Sequence, residues 1–153
     1  MLSSPPPPPP PADTPVRVLV VDDNRDAADS LSTLLHLVGF VPVVRYDPAS
    51  ALSDLDAVRP DACVLDLMMP GLDGLELARR IRAWAAGRWV PLVAVTALDD
   101  DDARRATAAA GFHLHLVKPV PPDELAAAVA DLVILGAGHD DGEEQARRAA
   151  DSP

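Results

Sequence analysis

The sequence predicts an α/β fold, a parallel five-stranded sheet with helices on both faces, and three observations predict it. Five short apolar runs alternate with amphipathic segments along most of the chain. The runs are almost unbroken in Val and Leu, the pattern of strands buried on both faces. Successive βα units joined by right-handed crossovers then place helices on the two faces of one sheet.

The first run, VRVLVVD (16–22), is bounded by Pro15 and closes on two acids, which reads as a strand. Behind it Ala27, Leu31, Leu34, Leu35 and Val38 recur at helical spacing, with Gly39 placed to end the helix in a left-handed conformation. FVPVVR (40–45) is the second strand. Asp47 is an N-cap, Pro48 takes the first helical position, and Ala51, Leu52, Leu55 and Val58 form the buried stripe of a second helix. ACVLD (62–66) is the third strand, and the loop after it carries Pro70, Gly71 and Gly74. Leu75, Ala78, Ile81 and Ala85 mark the third helix. VPLVAVT (90–96) is the fourth strand, and a fourth helix runs from about Asp101 to Ala110 before Gly111. FHLHLV (112–117) is the fifth strand. Leu125, Val129 and Leu132 share one face of a fifth helix, which Pro121 and Pro122 open where an Asp or Ser cap is usual.

Composition shifts bound this region. Residues 1–15 hold eight prolines, a segment that favours extended polyproline II and reads as a disordered tail, with a docking motif for a proline-binding module as the alternative. From Gly136 the chain becomes polar and glycine-interrupted, with five acids against two arginines, and reads as an acidic flexible tail. The expected folded unit is therefore 16–135, one domain with a proper core. The formal net charge of −11 argues against a nucleic-acid backbone or an anionic membrane surface and for a basic partner or a bound cation. No signal peptide and no apolar run of membrane-spanning length is legible, so the expected setting is the cytoplasm. The lone cysteine, Cys63, lies in an apolar run and is expected to be a buried, inert thiol.

In an open parallel sheet, ligands bind outside the carboxyl ends of the strands, so the polar residues that end each run belong together. They are Asp22 and Asp23, Asp66, Thr96, and Lys118 followed by Pro119; the second strand ends in nothing comparable, only Arg45 and Tyr46. With that strand at the edge, the other four converge on one crevice. Three carboxylates held together call for a hard divalent cation, Mg²⁺ above all. Lysine supplies a fixed positive charge for a phosphoryl oxygen and threonine a hydroxyl donor, while an Asp at the centre can serve as a nucleophile. Each residue has a plainer reading: Asp22 and Asp23 as helix caps, Thr96 as an ordinary strand residue, Lys118 as a loop charge. Only their common location at four strand ends makes the set specific.

VDDN, LDLMMPGLDG, VTA and VKP, in this order and spacing, resemble the receiver domain of two-component response regulators over about 120 residues. DDNRDAADSL and GFHLHLVKPV are especially similar to receivers found in or alongside hybrid sensor histidine kinases. The resemblance implies a flavodoxin-like (βα)5 fold, a doubly wound parallel sheet with strand order 2-1-3-4-5. It implies Asp66 as the phosphoacceptor, charged by a sensor histidine kinase or a histidine phosphotransfer protein. Asp23, Asp66 and the Met68 backbone carbonyl would bind Mg²⁺, with Asp22 acting nearby. Thr96 would be the switch hydroxyl, with Ala97, His115 and Pro119 as further switch positions. Lys118 would pair with the phosphoryl group, and Lys118-Pro119 would be a cis peptide.

His115 stands where the family usually has Tyr or Phe, and the readings are a structural histidine or a switch residue. His113 and His36 are expected to face solvent. Met68 and Leu98 are apolar at positions that, as the resemblance implies, flank the path of the hydrolytic water. The expected function is a stand-alone phosphoryl-accepting switch, not an enzyme in its own right, that signals to a downstream protein on the surface of the fourth helix, fifth strand and fifth helix. A haloacid-dehalogenase-type phosphatase is the competing reading, but its DxD motif is missing from VDDN. An unphosphorylated binding scaffold with the same fold is the other.

Overall fold

A computed structural model describes residues 15–69, 71 and 73–135. The expectations for the proline-rich and acidic tails, and Pro70, lie outside the described residues.

The five expected strands form one parallel sheet: β1 (Arg17–Val21), β2 (Val41–Arg45), β3 (Ala62–Asp66), β4 (Leu92–Thr96) and β5 (Leu114–Val117), in the order β2-β1-β3-β4-β5. Alternate residues feed two separate cores. Leu19 and Val21 point to one face with Cys63, Leu65, Leu92 and Ala94, while Val18 and Val20 point to the other with Ala62, Val64, Val93 and Val95. Both faces are covered, which is why β1, β3 and β4 read as unbroken apolar runs. Cys63 is wholly buried, and burial pushes its thiol well above the ordinary range, consistent with an inert core residue.

Helix α1 (Arg25–Leu37) packs Ala28, Leu31 and Leu35 onto the second core. Its N-cap is Asn24, whose side chain accepts from the Ala27 N–H, so neither Asp22 nor Asp23 is consumed as the cap. The helix stops at Val38, and Gly39 follows at φ +99°, as the periodicity predicts.

The expected second helix is split into α2 (Pro48–Ser53) and α3 (Leu55–Val58). The break falls where the Ser53 hydroxyl donates to the Ser50 carbonyl, a local bond that competes with the helical ladder, and where the Asp54 carboxylate is drawn 2.8 Å to Arg45 Nε. Asp47 caps α2 as expected, accepting from Ser50 N–H at 2.7 Å.

The sequence's third and fourth helices are α4 (Gly74–Ala85) and α5 (Asp101–Ala110), capped by Asp73 and Asp100. Gly111 closes α5 in the left-handed region. The described part of the last helix, α6, spans 122–135 and places Leu125, Ala126 and Val129 opposite α1 in the second core.

His36 is exposed, as expected. His113 is not a solvent-facing residue: it is half-buried, its Nδ1 accepts from the Leu92 N–H at 3.0 Å, and its ring meets Trp89 edge-on at 4.6 Å between centroids. The apolar period of β5 leaves its flank unassigned, and Trp89, from the loop before β4, covers that flank. Among the described residues, no helix is long and apolar enough to cross a membrane.

Candidate functional site

Strand register carries the polar strand ends to one place. Val21 pairs with Leu65, so the residues that follow them, Asp22 and Asp66, lie side by side. Asp66 pairs with Val95, which sets Thr96 one step beyond, and Thr96 pairs with Val117, which sets Lys118 one step beyond that. The order of the sheet reverses at β1 and β3, the position where open α/β sheets leave a crevice.

Asp66 is only 4% exposed. Its Oδ1 accepts from the Met68 N–H at 3.0 Å, and its Oδ2 lies 3.3 Å from Lys118 Nζ. The same ammonium reaches Asp22 Oδ2 at 3.7 Å. Asp22 is buried and accepts at Oδ1 from the Asn24 N–H at 2.9 Å. Its carboxyl is held above the ordinary aspartate range, mainly because burial disfavours the charged form and further because Asp66 is a neighbouring anion; the Asn24 N–H and Lys118 oppose the shift. Asp23 is exposed at the rim, and Asp22, Asp23 and Asp66 each offer a carboxylate oxygen within 4.8 Å of the others.

This donor set fits a hard cation. Three carboxylates supply oxygen ligands with one lysine to balance them, and a small divalent ion needs only a few such ligands. Met68, whose backbone carbonyl the resemblance adds to the ligands, follows Asp66 by two residues and is 58% exposed.

Thr96 is fully buried, and its hydroxyl accepts from the Leu98 N–H at 3.1 Å. Among the described residues no hydrogen bond joins it to the carboxylates. Ala97 is exposed just after it. Lys118-Pro119 is a cis peptide, and the Lys118 N–H donates to the Thr96 carbonyl at 2.8 Å. His115 stands apart from the acids, between Leu98 and Thr107.

Two residues that sequence reasoning passed over also shape the site. Asn24 caps α1 through its side chain and holds Asp22 through its N–H, and its position after two acids was the available signal. Gly74 begins α4 so close to the acceptor strand that an added Cβ would lie 2.8 Å from the Asp66 carbonyl oxygen. Beside the acids, a cavity of about 410 Å³ opens between α1 and α6, lined by Ala27, Ala28, Leu31, Val120 and Leu125 with Asp66 and Lys118 at one end.

Comparison with known proteins bears on this geometry. The chain matches the response regulator receiver domain family over residues 18–130. It is 39% identical over 136 residues to the response regulator MprA of Mycobacterium bovis, covering 89% of this chain and 58% of that protein. The MprA of Mycolicibacterium vanbaalenii is 42% identical over 113 residues, covering 74% of this chain and 48% of that one. The chain thus spans about half the length of these relatives. Among solved structures, the receiver domain of the Francisella response regulator 1452 superposes with a TM-score of 0.69 at 30% identity, covering 77% of this chain and 96% of that one. A response regulator receiver domain protein from Methanospirillum hungatei reaches a TM-score of 0.76 at 20% identity over 82% and 99%, a likeness of fold. With the receiver-domain match running over most of the chain and the strand order shared with these solved structures, the chain belongs to the response regulator receiver domain family of two-component systems.

Proposed function

We propose that this chain accepts a phosphoryl group on Asp66 from a histidine kinase or a histidine phosphotransfer protein and passes the signal on as a change of surface. The observation that carries the reading is Asp66 itself, a buried carboxylate at the end of β3 with one oxygen fixed by a backbone N–H and the other facing a lysine. An acid in that position serves no packing purpose, while a fixed, partly neutralised carboxylate is a prepared nucleophile. The folded unit we take as 16–135, and the cytoplasm as its setting.

In the transfer, one Asp66 oxygen forms a bond to phosphorus as the bond from phosphorus to the donor's imidazole nitrogen breaks, and the electron pair stays on the imidazole. The Met68 N–H holds the carboxylate in position. The Lys118 ammonium lies where it neutralises charge on the phosphoryl oxygens. The Thr96 hydroxyl is the group able to turn toward them. Asp22, Asp23, Asp66 and the Met68 carbonyl are the residues to hold Mg²⁺, which when bound supplies the charge that three carboxylates and a phosphoryl group otherwise lack. The apolar cavity beside Lys118 gives a donor side chain room to approach. The chain then acts as a switch that assists its own phosphorylation and slow dephosphorylation, with a downstream protein reading α5, β5 and α6.

The test is phosphoryl incorporation from acetyl phosphate, followed by intact mass. One phosphoryl group is expected on the parent protein with Mg²⁺, and none on Asp66→Asn or in EDTA. Incorporation that survives in Asp66→Asn overturns the assignment.

A further inference from the structure

We infer that the acidic segment beyond α6, Asp140 to Glu144, folds back onto a group of arginines at the end of the sheet where the strands begin, the end opposite Asp66. The contact uses no residue of the acid cluster, so it is independent of the phosphoryl-acceptor reading.

The basic residues divide by position. Arg45, Arg79, Arg80, Arg104 and Arg105 each pair with a carboxylate, and Lys118 pairs with two. Arg25 lies over the Tyr46 ring, 4.1 Å from its centroid. The other four, Arg17, Arg59, Arg82 and Arg88, are exposed, and none is ion-paired among the described residues. All four lie at one end of the sheet: Arg17 opens β1, Arg59 ends α3 before β3, Arg82 is in the last turn of α4, and Arg88 precedes β4. Arg17 Nη1 donates to the Val58 carbonyl at 3.0 Å and Arg88 Nε to the Ala85 carbonyl at 2.9 Å, while the Arg88 guanidinium stacks over the Trp84 ring at 4.5 Å. A carbonyl takes a hydrogen without cancelling the charge. The acids at this end are Asp56, Asp61 and Asp131; Asp56 accepts from Trp84 Nε1 and Asp61 from the Arg17 N–H. In a chain of net charge −11, four guanidiniums thus keep an unpaired charge at one end.

The acidic segment departs from that same end. Trp89 Nε1 donates to the Leu132 carbonyl at 3.3 Å, so the last turn of α6 rests on the residue next to Arg88. His113 meets the same Trp89 ring, and two residues before it Gly111 lies under Arg82, whose Cγ would be 3.0 Å from an added Cβ. Beyond Leu135 the sequence runs GAGHDDGEE, which brings Asp140 within about 17 Å of the helix end and Glu144 within about 30 Å when extended. Only β3 separates β1 from β4, a span of about 10 Å, so one short segment reaches from Arg88 to Arg17. Glu143 and Glu144 also have Arg147 and Arg148 within reach along the chain, which leaves Asp140 and Asp141 as the main contacts. The tether decides between this segment and the acids of a second copy. A linker this short holds the carboxylates at an effective concentration of about a millimolar, far above that of another molecule in dilute solution.

The experiment is nuclear magnetic resonance of the full chain with a nitroxide on Gly142→Cys; Cys63 is wholly buried and escapes the label. Broadening of the Gly87, Arg88 and Gly111 amides is expected, and it should fall by about half or more in about 0.5 M salt, where exposed ion pairs are screened. The same loss is expected when Asp140→Asn, Asp141→Asn, Glu143→Gln and Glu144→Gln are combined, and again in Arg82→Gln with Arg88→Gln. The chain's two tryptophans both lie at this end, so their fluorescence should also change when the tail acids are neutralised and not when Asp26→Asn is made at the other end. Broadening that ignores salt and both sets of neutralisations reports only a nearby tether and overturns the docking. Broadening that passes between labelled and unlabelled molecules, or that vanishes on dilution, assigns the arginines to a second copy and overturns it too. The tail substitutions lie outside the packed core, so an arginine variant that fails to fold leaves the docking testable.

Discussion

Gly74→Ala is the sharpest probe of how the fold holds the acceptor. An added Cβ would sit 2.7 Å from Leu67 Cα, 2.8 Å from the Asp66 carbonyl oxygen and 2.8 Å from Leu67 Cδ2. Two of these atoms are backbone at the end of β3, so no rotamer change relieves them; α4 must lift or the strand end must shift. Inserting a methyl group into such a packed contact costs roughly 1 to 3 kcal/mol. Alanine recovers at most about 1 kcal/mol through helix propensity, and less at the first helical position. A net loss of about 1.5 kcal/mol corresponds to about 6 °C in Tm for a domain of roughly 120 residues. Gly87→Ala is a useful control, because nothing lies within 4 Å of its Cβ position and only its left-handed backbone, φ +88°, resists the change. Thermal unfolding by far-UV circular dichroism, checked for two-state behaviour, measures both. Phosphoryl uptake should also fall in Gly74→Ala, since the atoms displaced carry Asp66, and should be unaffected in Gly87→Ala. A Gly74→Ala protein that melts with its parent and takes up phosphoryl at the parent rate would show that the contact between α4 and β3 yields without cost.

Two further outcomes are expected. The Asp22 carboxyl has a folded-state pKa raised by burial, so the folded protein binds more protons than the unfolded chain above about pH 3.9, and stability declines as pH rises through the raised value. Asp22→Asn keeps the acceptor for the Asn24 N–H and should raise Tm in EDTA at neutral pH, with the gain shrinking toward acid; a gain that grows toward acid reverses the sign and refutes the account. Hydrolysis of the acyl phosphate should be slow, because Met68 and Leu98, 58% and 43% exposed, offer no strong acceptor to orient a water in line with phosphorus. Met68→Asn with Leu98→Glu should speed decay of the purified phosphoprotein by about tenfold, or roughly 1.4 kcal/mol of barrier. Equal or slower decay would place control of that water elsewhere.

The sequence by itself determined the five βα units, because the alternation of apolar runs and helical stripes is a local pattern and each strand or helix announces it within a dozen residues. Capping was also local: Asp47 and Gly111 act where their chemistry predicts. The candidate acids, hydroxyl and lysine were legible because they interrupt apolar runs that gain nothing from polarity. What only the tertiary structure decided was distance between segments. The Lys118 to Asp66 contact joins residues 52 apart, and it exists because register in two successive strand pairs adds up to put their ends level. Asn24, not its acidic neighbours, proved to be the cap, which leaves Asp22 and Asp23 for the cluster. Gly74 looked like one more loop glycine until the end of β3 came against it. His115 and His113 look equivalent in the alternating run LHLV and the residue before it, yet one bridges a loop to α5 and the other packs on Trp89. A side chain's period along its own strand tells which face it takes, but its partners there come from other segments, whose approach is set by the packing of the whole sheet and its helices.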